Sequence, residues 1–147
     1  MFHKILVPVD GSDTALLAVK YARKLAGKFS SAVTLLHVIP NVAVVPGAVP
    51  MPDTVLAKLD ETGNTVLAQA AAYFADYDGR VYQRLEYGPP GRVITEIALD
   101  HHFSLIIMGR RGLSNVTAFF LGSVSNHVVQ HAPCPTMIIK DQEKTAE

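Results

Sequence analysis

Ile5-Leu6-Val7-Pro8-Val9-Asp10-Gly11-Ser12-Asp13 is an apolar run, interrupted by Pro8, that stops on a short polar turn at Asp10. Apolar residues without polar alternation suit a strand covered on both faces, the kind found inside parallel sheets. Asp10 to Asp13 then supply a turn and capping oxygens, after which Leu16, Val19, Tyr21, Ala22 and Leu25 recur at roughly helical spacing. Gly27 is the expected stop of that helix.

Outward from this unit the same alternation repeats. Residues 32–39, rich in Val, Leu and Ile, read as a second strand. Asp53 reads as the N-cap of a long helix whose stripe is Val55, Leu56, Leu59, Val66, Leu67, Ala70 and Phe74, ending at Asp76-Tyr77-Asp78-Gly79. Gly63 inside it costs about 1 kcal/mol relative to Ala and implies a close packing contact. Residues 80–87 alternate imperfectly with charge on at least one face, as an edge strand does. Gly88-Pro89-Pro90-Gly91 turns into a helix burying Val93, Ile94, Ile97 and Ala98 and ending near Asp100-His101-His102, and residues 103–108 are a fourth continuous apolar run. Residues 109–122 read as a loop region in which residues 114–121 hold a turn of helix. Residues 123–131 form the last helix, with Val124, Val128 and His127 inward; Pro133-Cys134-Pro135 breaks it ahead of a fifth strand, Thr136-Met137-Ile138-Ile139-Lys140.

Strands alternating with helices, joined by right-handed crossovers, predict a single doubly wound, Rossmann-like α/β domain over residues 1–147. Ligands of such sheets sit beyond the carboxyl ends of the strands where the winding reverses. Asp10 and Gly109 end the first and fourth strands, and the search for a site narrows to them.

Composition bounds the function. Among 147 residues, 49% are hydrophobic and 18% charged, which excludes global disorder. Thirteen Lys and Arg balance thirteen Asp and Glu, so no basic excess exists to neutralise a run of phosphates, and nucleic acid is not an expected partner. A single cysteine, Cys134, excludes an intramolecular disulfide framework. Residues 5–9 are too short for a signal-peptide core, and residues 29–52, though uncharged, carry Pro40, Pro46, Pro50 and Pro52. No membrane partner is expected, and cytoplasmic is the expected location. The Pro-punctuated residues 40–52 exceed the usual connection of about 4 to 6 residues and read as a functional flap or mobile loop, and residues 141–147 read as a polar tail.

Gly109-Arg110-Arg111-Gly112, then nine residues, then Gly122-Ser123, combines three devices for holding phosphate. Gly109 and Gly112 let backbone N–H groups approach an anion with no Cβ in the way. Gly122 and Ser123 open a helix, where orphan N–H groups, the positive dipole end and a hydroxyl favour negative charge. Turn glycines and a serine cap are the competing reading.

The pattern G-x2-G-x9-G-S after a hydrophobic strand resembles the nucleotide-binding signature of the universal stress protein family. The opening residues 5–12, Leu35-Leu36-His37-Val38 and His131-Ala132-Pro133-Cys134-Pro135 are similar to that family too. The resemblance implies five parallel strands in order 3-2-1-4-5, a cytoplasmic homodimer and, because the glycine pattern is intact, membership of the ATP-binding subgroup. It implies ATP, or ADP or AMP, with or without Mg²⁺ or Mn²⁺. Pro8, Val9 and Asp10 would lie by the adenine and ribose, and Val38 would meet the adenine through its backbone. Gly109, Gly112, Gly122 and Ser123 would hold the ribose and phosphates, with Met108, Arg110, Val124 and Ser125 close by. The inferred strand order leaves residues 136–140 at the sheet margin, where a second copy would pair.

Other constellations point less sharply. Asp10 and Asp13 offer oxygens to Mg²⁺, but an aspartate at a helix start is already served by the dipole. His127 and His131 have metal-ligand spacing without H-E-x-x-H or a third ligand, so packing histidines are the better reading. His101-His102 reads as a helix end. Cys134 between prolines lacks an activator nearby in sequence and reads as an inert, partly buried thiol.

The leading function is a dimeric ATP-binding protein, a nucleotide-dependent stress-response sensor or regulator. A slow ATPase or phosphotransferase is the enzymatic alternative, and a nucleotide-independent dimerisation module the third. No Walker lysine follows the glycine loop, Asp10-Gly11-Ser12 lacks the second aspartate of a D-x-D phosphatase loop and no G-x-S-x-G elbow occurs, which favours binding over turnover, and no catalytic residue is assigned.

Overall fold

The computed structural model describes residues 1–40, 51–110 and 121–141. Its elements run β1 (Lys4–Pro8), α1 (Asp13–Phe29), β2 (Ala32–Ile39), α2 (Asp53–Ala71), a 3₁₀ turn (Ala72–Phe74), β3 (Val81–Tyr87), α3 (Pro90–Asp100), β4 (Leu105–Gly109), α4 (Ser123–His131) and β5 (Thr136–Ile139). The strands form one parallel sheet in the order β3-β2-β1-β4-β5. This is the doubly wound α/β architecture the alternation predicts. Residues 41–50, most of the Pro-rich loop, lie outside the described residues, as do residues 114–120 of the expected helical turn and residues 142–147 of the tail.

The strands are apolar throughout because successive side chains enter different cores. Ile5, Val7, Val33, Leu35, Leu105 and Ile107 pack against α1 and α2, while Leu6, Leu36, Ile106 and Met108 pack against α3 and α4. Ile5, Leu6, Leu35, Leu36, Ile106 and Ile107 are fully excluded from solvent. Burying a side chain of this size stabilises the fold by about 1.5–3 kcal/mol before entropy is counted.

The helices depart from expectation at their ends. α1 continues past Gly27 to Phe29 and closes at Ser30, which takes the left-handed conformation (φ 52°) while the Ser31 N–H donates to the Ala26 carbonyl at 3.2 Å. A serine therefore makes the turn usually given to glycine. Tyr21 points outward, 42% exposed, because α1 meets the sheet through small side chains at Ala15, Ala18, Ala22 and Ala26 with Val19. At α2, Pro52 occupies the cap position without a side-chain bond and Asp53 is the first helical residue, where its charge suits the dipole. Val55 is exposed in the first turn; the helix buries Gly63, Leu67 and Ala70 instead. β4 starts two residues later than expected, since Ser104 is bonded to Lys4 (N–H to carbonyl, 2.8 Å) ahead of the ladder, and β5 ends at Ile139 rather than Lys140.

Gly63 has the contact its position implies. A Cβ there would lie 2.7 Å from Leu85 Cδ1 and 3.0 Å from His37 Cδ2. Gly63→Ala removes a helix penalty of about 1 kcal/mol but forces overpacking of about 1–3 kcal/mol, so a net loss of about 1 kcal/mol is expected. Denaturant unfolding with an unchanged slope checks this; a gain in stability would show that the neighbours yield.

Candidate functional site

The winding reverses between β1 and β4, and the carboxyl ends of β1, β2 and β4 meet the N-termini of α1 and α4 there. Pro8, Val9, Val38 and Met108 are buried in these strand ends, and Asp10, Gly109 and Arg110 are half-buried beyond them. Gly122, Ser123, Val124 and Ser125 form the start of α4. The structure thus brings together the expected residues that are described; Gly112 lies outside them.

On the β1 side, the Asp10 carboxylate accepts the Ser12 N–H at 2.9 Å, closing a turn around Gly11, whose φ is +87°. Ser12 caps α1 by accepting the Ala15 N–H at 3.2 Å. Asp13 stands exposed in the first turn of α1, where its charge suits the dipole. Val9 is tied to β2 twice: its N–H donates to the Leu36 carbonyl at 2.8 Å, and its carbonyl lies 2.7 Å from His37 Nδ1.

On the β4 side, a Cβ on Gly109 would stand 3.0 Å from the backbone and side chain of Thr14. The close approach of α1 to β4 therefore needs this glycine independently of any ligand. Arg110 is the main organiser. Its N–H donates to the Ile139 carbonyl at 2.9 Å and its guanidinium pairs with Asp141 at 3.0 Å. Its carbonyl accepts the Gly122 N–H at 2.9 Å and the Ser125 hydroxyl at 2.5 Å. The last strand and the last helix are thereby pinned to the end of β4.

α4 begins without a side-chain cap, since Gly122 at the cap position has no side chain to offer. The N–H groups of its first turn lack intrahelical acceptors by geometry, and the helix dipole adds positive potential there. Chemically this end suits an anion, while the strand ends beside it offer apolar walls and backbone polar groups. Among the described residues, no group of three or more His, Cys, Asp or Glu converges.

The remaining candidates have structural explanations. His127 packs over Gly91, where a Cβ would meet its ring at 2.9 Å, and it stacks on His131 with ring centroids 4.3 Å apart. His101 ends α3 and takes the Arg84 guanidinium at 3.1 Å. Burial pushes the Cys134 thiol above its ordinary pKa, which lowers its thiolate fraction near neutral pH. Among the described residues, no helix is long and apolar enough to cross a membrane.

Sequence reasoning missed the Asp141 partner of Arg110 and the attachment of His37 to Val9. A histidine inside an otherwise apolar strand is the one signal available for the second.

The sequence profile of the universal stress protein family matches residues 1–140. A universal stress protein from Thermus aquaticus is 34% identical over 140 residues, covering 95% of this chain and 100% of the relative. Among solved structures, hypothetical protein MJ0577 superposes with a TM-score of 0.77 at 27% identity, covering 98% of this chain and 99% of that one. A universal stress protein family protein from Arabidopsis thaliana, solved with AMP bound, shares the fold with a TM-score of 0.70 at 20% identity, covering 98% and 95%. With the profile matched along nearly its whole length and a relative above 30% identity, this chain belongs to the universal stress protein family.

Proposed function

We propose that this chain is a single nucleotide-binding domain that takes ATP, or ADP or AMP, with or without Mg²⁺ or Mn²⁺, and serves as a cytoplasmic stress-response sensor or regulator in a homodimer. The observation that carries the reading is the uncapped start of α4 set against the ends of β1 and β4 at the switch point of the sheet. AMP in the Arabidopsis neighbour supports the choice of an adenine nucleotide.

Under this reading Ser123 and Val124 offer backbone N–H groups to the phosphates, with Gly109 and Gly112 beside them. Pro8, Val9, Asp10 and Val38 flank the nucleoside, and Met108 and Ser125 support the walls. Arg110 lies close by: its guanidinium pairs with Asp141, and its carbonyl accepts from Gly122 and Ser125, which ties the end of β4 to the start of α4. The test is to denature freshly purified protein and identify the released nucleotide by chromatography. An adenine nucleotide is expected; a protein that releases none and takes up none on titration overturns the reading.

Turnover is expected to be slow, well below the enzymatic median of about 10 per second. Backbone amides that hold ground state and transition state equally give affinity without acceleration. Rapid-quench measurement of ADP formation with Mg²⁺ or Mn²⁺ checks this. Several turnovers each second would favour the ATPase or phosphotransferase reading.

A further inference from the structure

His37 sits in β2 with its ring on the α2 side, against Gly63. Its Nδ1 lies 2.7 Å from the Val9 carbonyl. A carbonyl only accepts, so the His37 ring donates to it from Nδ1. The ring is held from behind as well, since α2 has a glycine where any Cβ would press on Cδ2 at 3.0 Å.

The ladder shows what this bond replaces. In a parallel pair, a residue whose N–H donates to one carbonyl accepts from the N–H two residues further along the same partner. Val9 donates to the Leu36 carbonyl, so a continued ladder would have its carbonyl take the Val38 N–H. The β1–β2 pairing ends instead at Pro8 and Leu36, and the His37 ring supplies the donor for Val9. Backbone direction alternates along β2. Leu36 faces β1, and Ile39 faces β3, its carbonyl accepting the Gly88 N–H at 3.0 Å. Val38 therefore directs both its amide and its carbonyl toward β1, at the level where β1 has turned away into the Asp10 turn.

We propose that His37 is a positioning residue for base recognition: by holding the Val9 carbonyl with its own N–H, it leaves the Val38 amide and carbonyl open to a base edge. A neighbouring donor and acceptor on one backbone residue match a base presenting an acceptor beside an amino donor, as adenine does with N1 and N6. Hypoxanthine presents the opposite polarity, a ring N–H beside a carbonyl, and is mismatched. The inference rests on the nucleotide-binding reading above and adds the residue that sets base choice.

The experiment is calorimetric titration of the full chain with AMP and with IMP. Wild type is expected to prefer AMP. His37→Leu removes the donor and should shrink that preference at least tenfold, while His37→Asn, whose amide reaches the position of Nδ1, should keep it within about threefold. Should the Leu variant fail to fold, His37→Gln carries the same contrast, because its amide reaches the position of Nε2 instead. A merely structural histidine would change thermal stability without changing the AMP-to-IMP ratio. Wild type that binds AMP without preference over IMP, or a preference that survives in the Leu or Gln variant, overturns the inference and leaves nucleotide binding standing. Wild type that binds neither nucleotide overturns both.

Discussion

Gly122→Val is expected to weaken AMP binding at least tenfold, equivalent to about 1.4 kcal/mol, in a protein that still folds. Gly122 has φ −59° and ψ 158°, an ordinary extended conformation, so a β-branched residue meets no backbone strain there. What it meets is the approach to the first N–H groups of α4. Valine is also a poor N-cap, which adds a stability cost of about 0.5–1 kcal/mol and is read separately by thermal unfolding. Gly122→Ser sharpens the test because its two effects have opposite signs. Serine is a preferred cap, and its hydroxyl accepts the same N–H groups that a phosphate would use. The Ser variant should therefore be as stable as wild type or more so, yet bind AMP more weakly. Calorimetric titration beside thermal unfolding measures both. Unchanged affinity in a folded Val variant would remove α4 from the site.

The parts of the fold legible in sequence are those where burial leaves no choice. Residues 32–39 read as a strand because nearly every side chain enters one of two cores, and β2 spans those residues. Gly63 announced a close contact because a glycine inside a helix needs a reason, and Leu85 with His37 is that reason. Helix ends were less legible. Nothing in Gly27-Lys28-Phe29-Ser30 announces that the serine rather than the glycine makes the left-handed turn. Periodicity places the α1 stripe only roughly, so Tyr21 falls outside it, and the alanines through which α1 meets the sheet count weakly as hydrophobic. At the site, strand ends and the glycine-opened helix were legible because they are local. The Arg110–Asp141 pair spans 31 residues and joins two segments that only the finished sheet makes adjacent.

The two edges of the sheet differ in a way that bears on assembly. β3 carries Arg84 and Glu86, paired at 2.7 Å, between exposed Tyr82 and Tyr87. Charge of this kind discourages a strand from another chain. β5, at the opposite edge, is Thr136-Met137-Ile138-Ile139, with no charge along its length and with Thr136, Met137 and Ile138 only half-buried. An uncharged edge left bare would invite aggregation, and pairing with the same strand of a second copy is the arrangement that closes on itself. In the proposed homodimer a two-fold axis through that junction would run the two copies of β5 antiparallel, so that each backbone ladder would serve the other. Ile138→Asp places a charge at this seam twice over, once from each copy, and burying either without a partner is costly. The dimer is expected to weaken at least a hundredfold, about 2.8 kcal/mol, appearing in sedimentation velocity as monomer or as aggregate. Ile138 also packs toward the α3 and α4 core, so cooperative unfolding of the variant must accompany the measurement to separate lost pairing from lost fold. A folded Ile138→Asp protein that sediments as a dimer would move the interface away from β5, and β3 with its ion pair would then have to be reconsidered as a contact rather than a guarded edge.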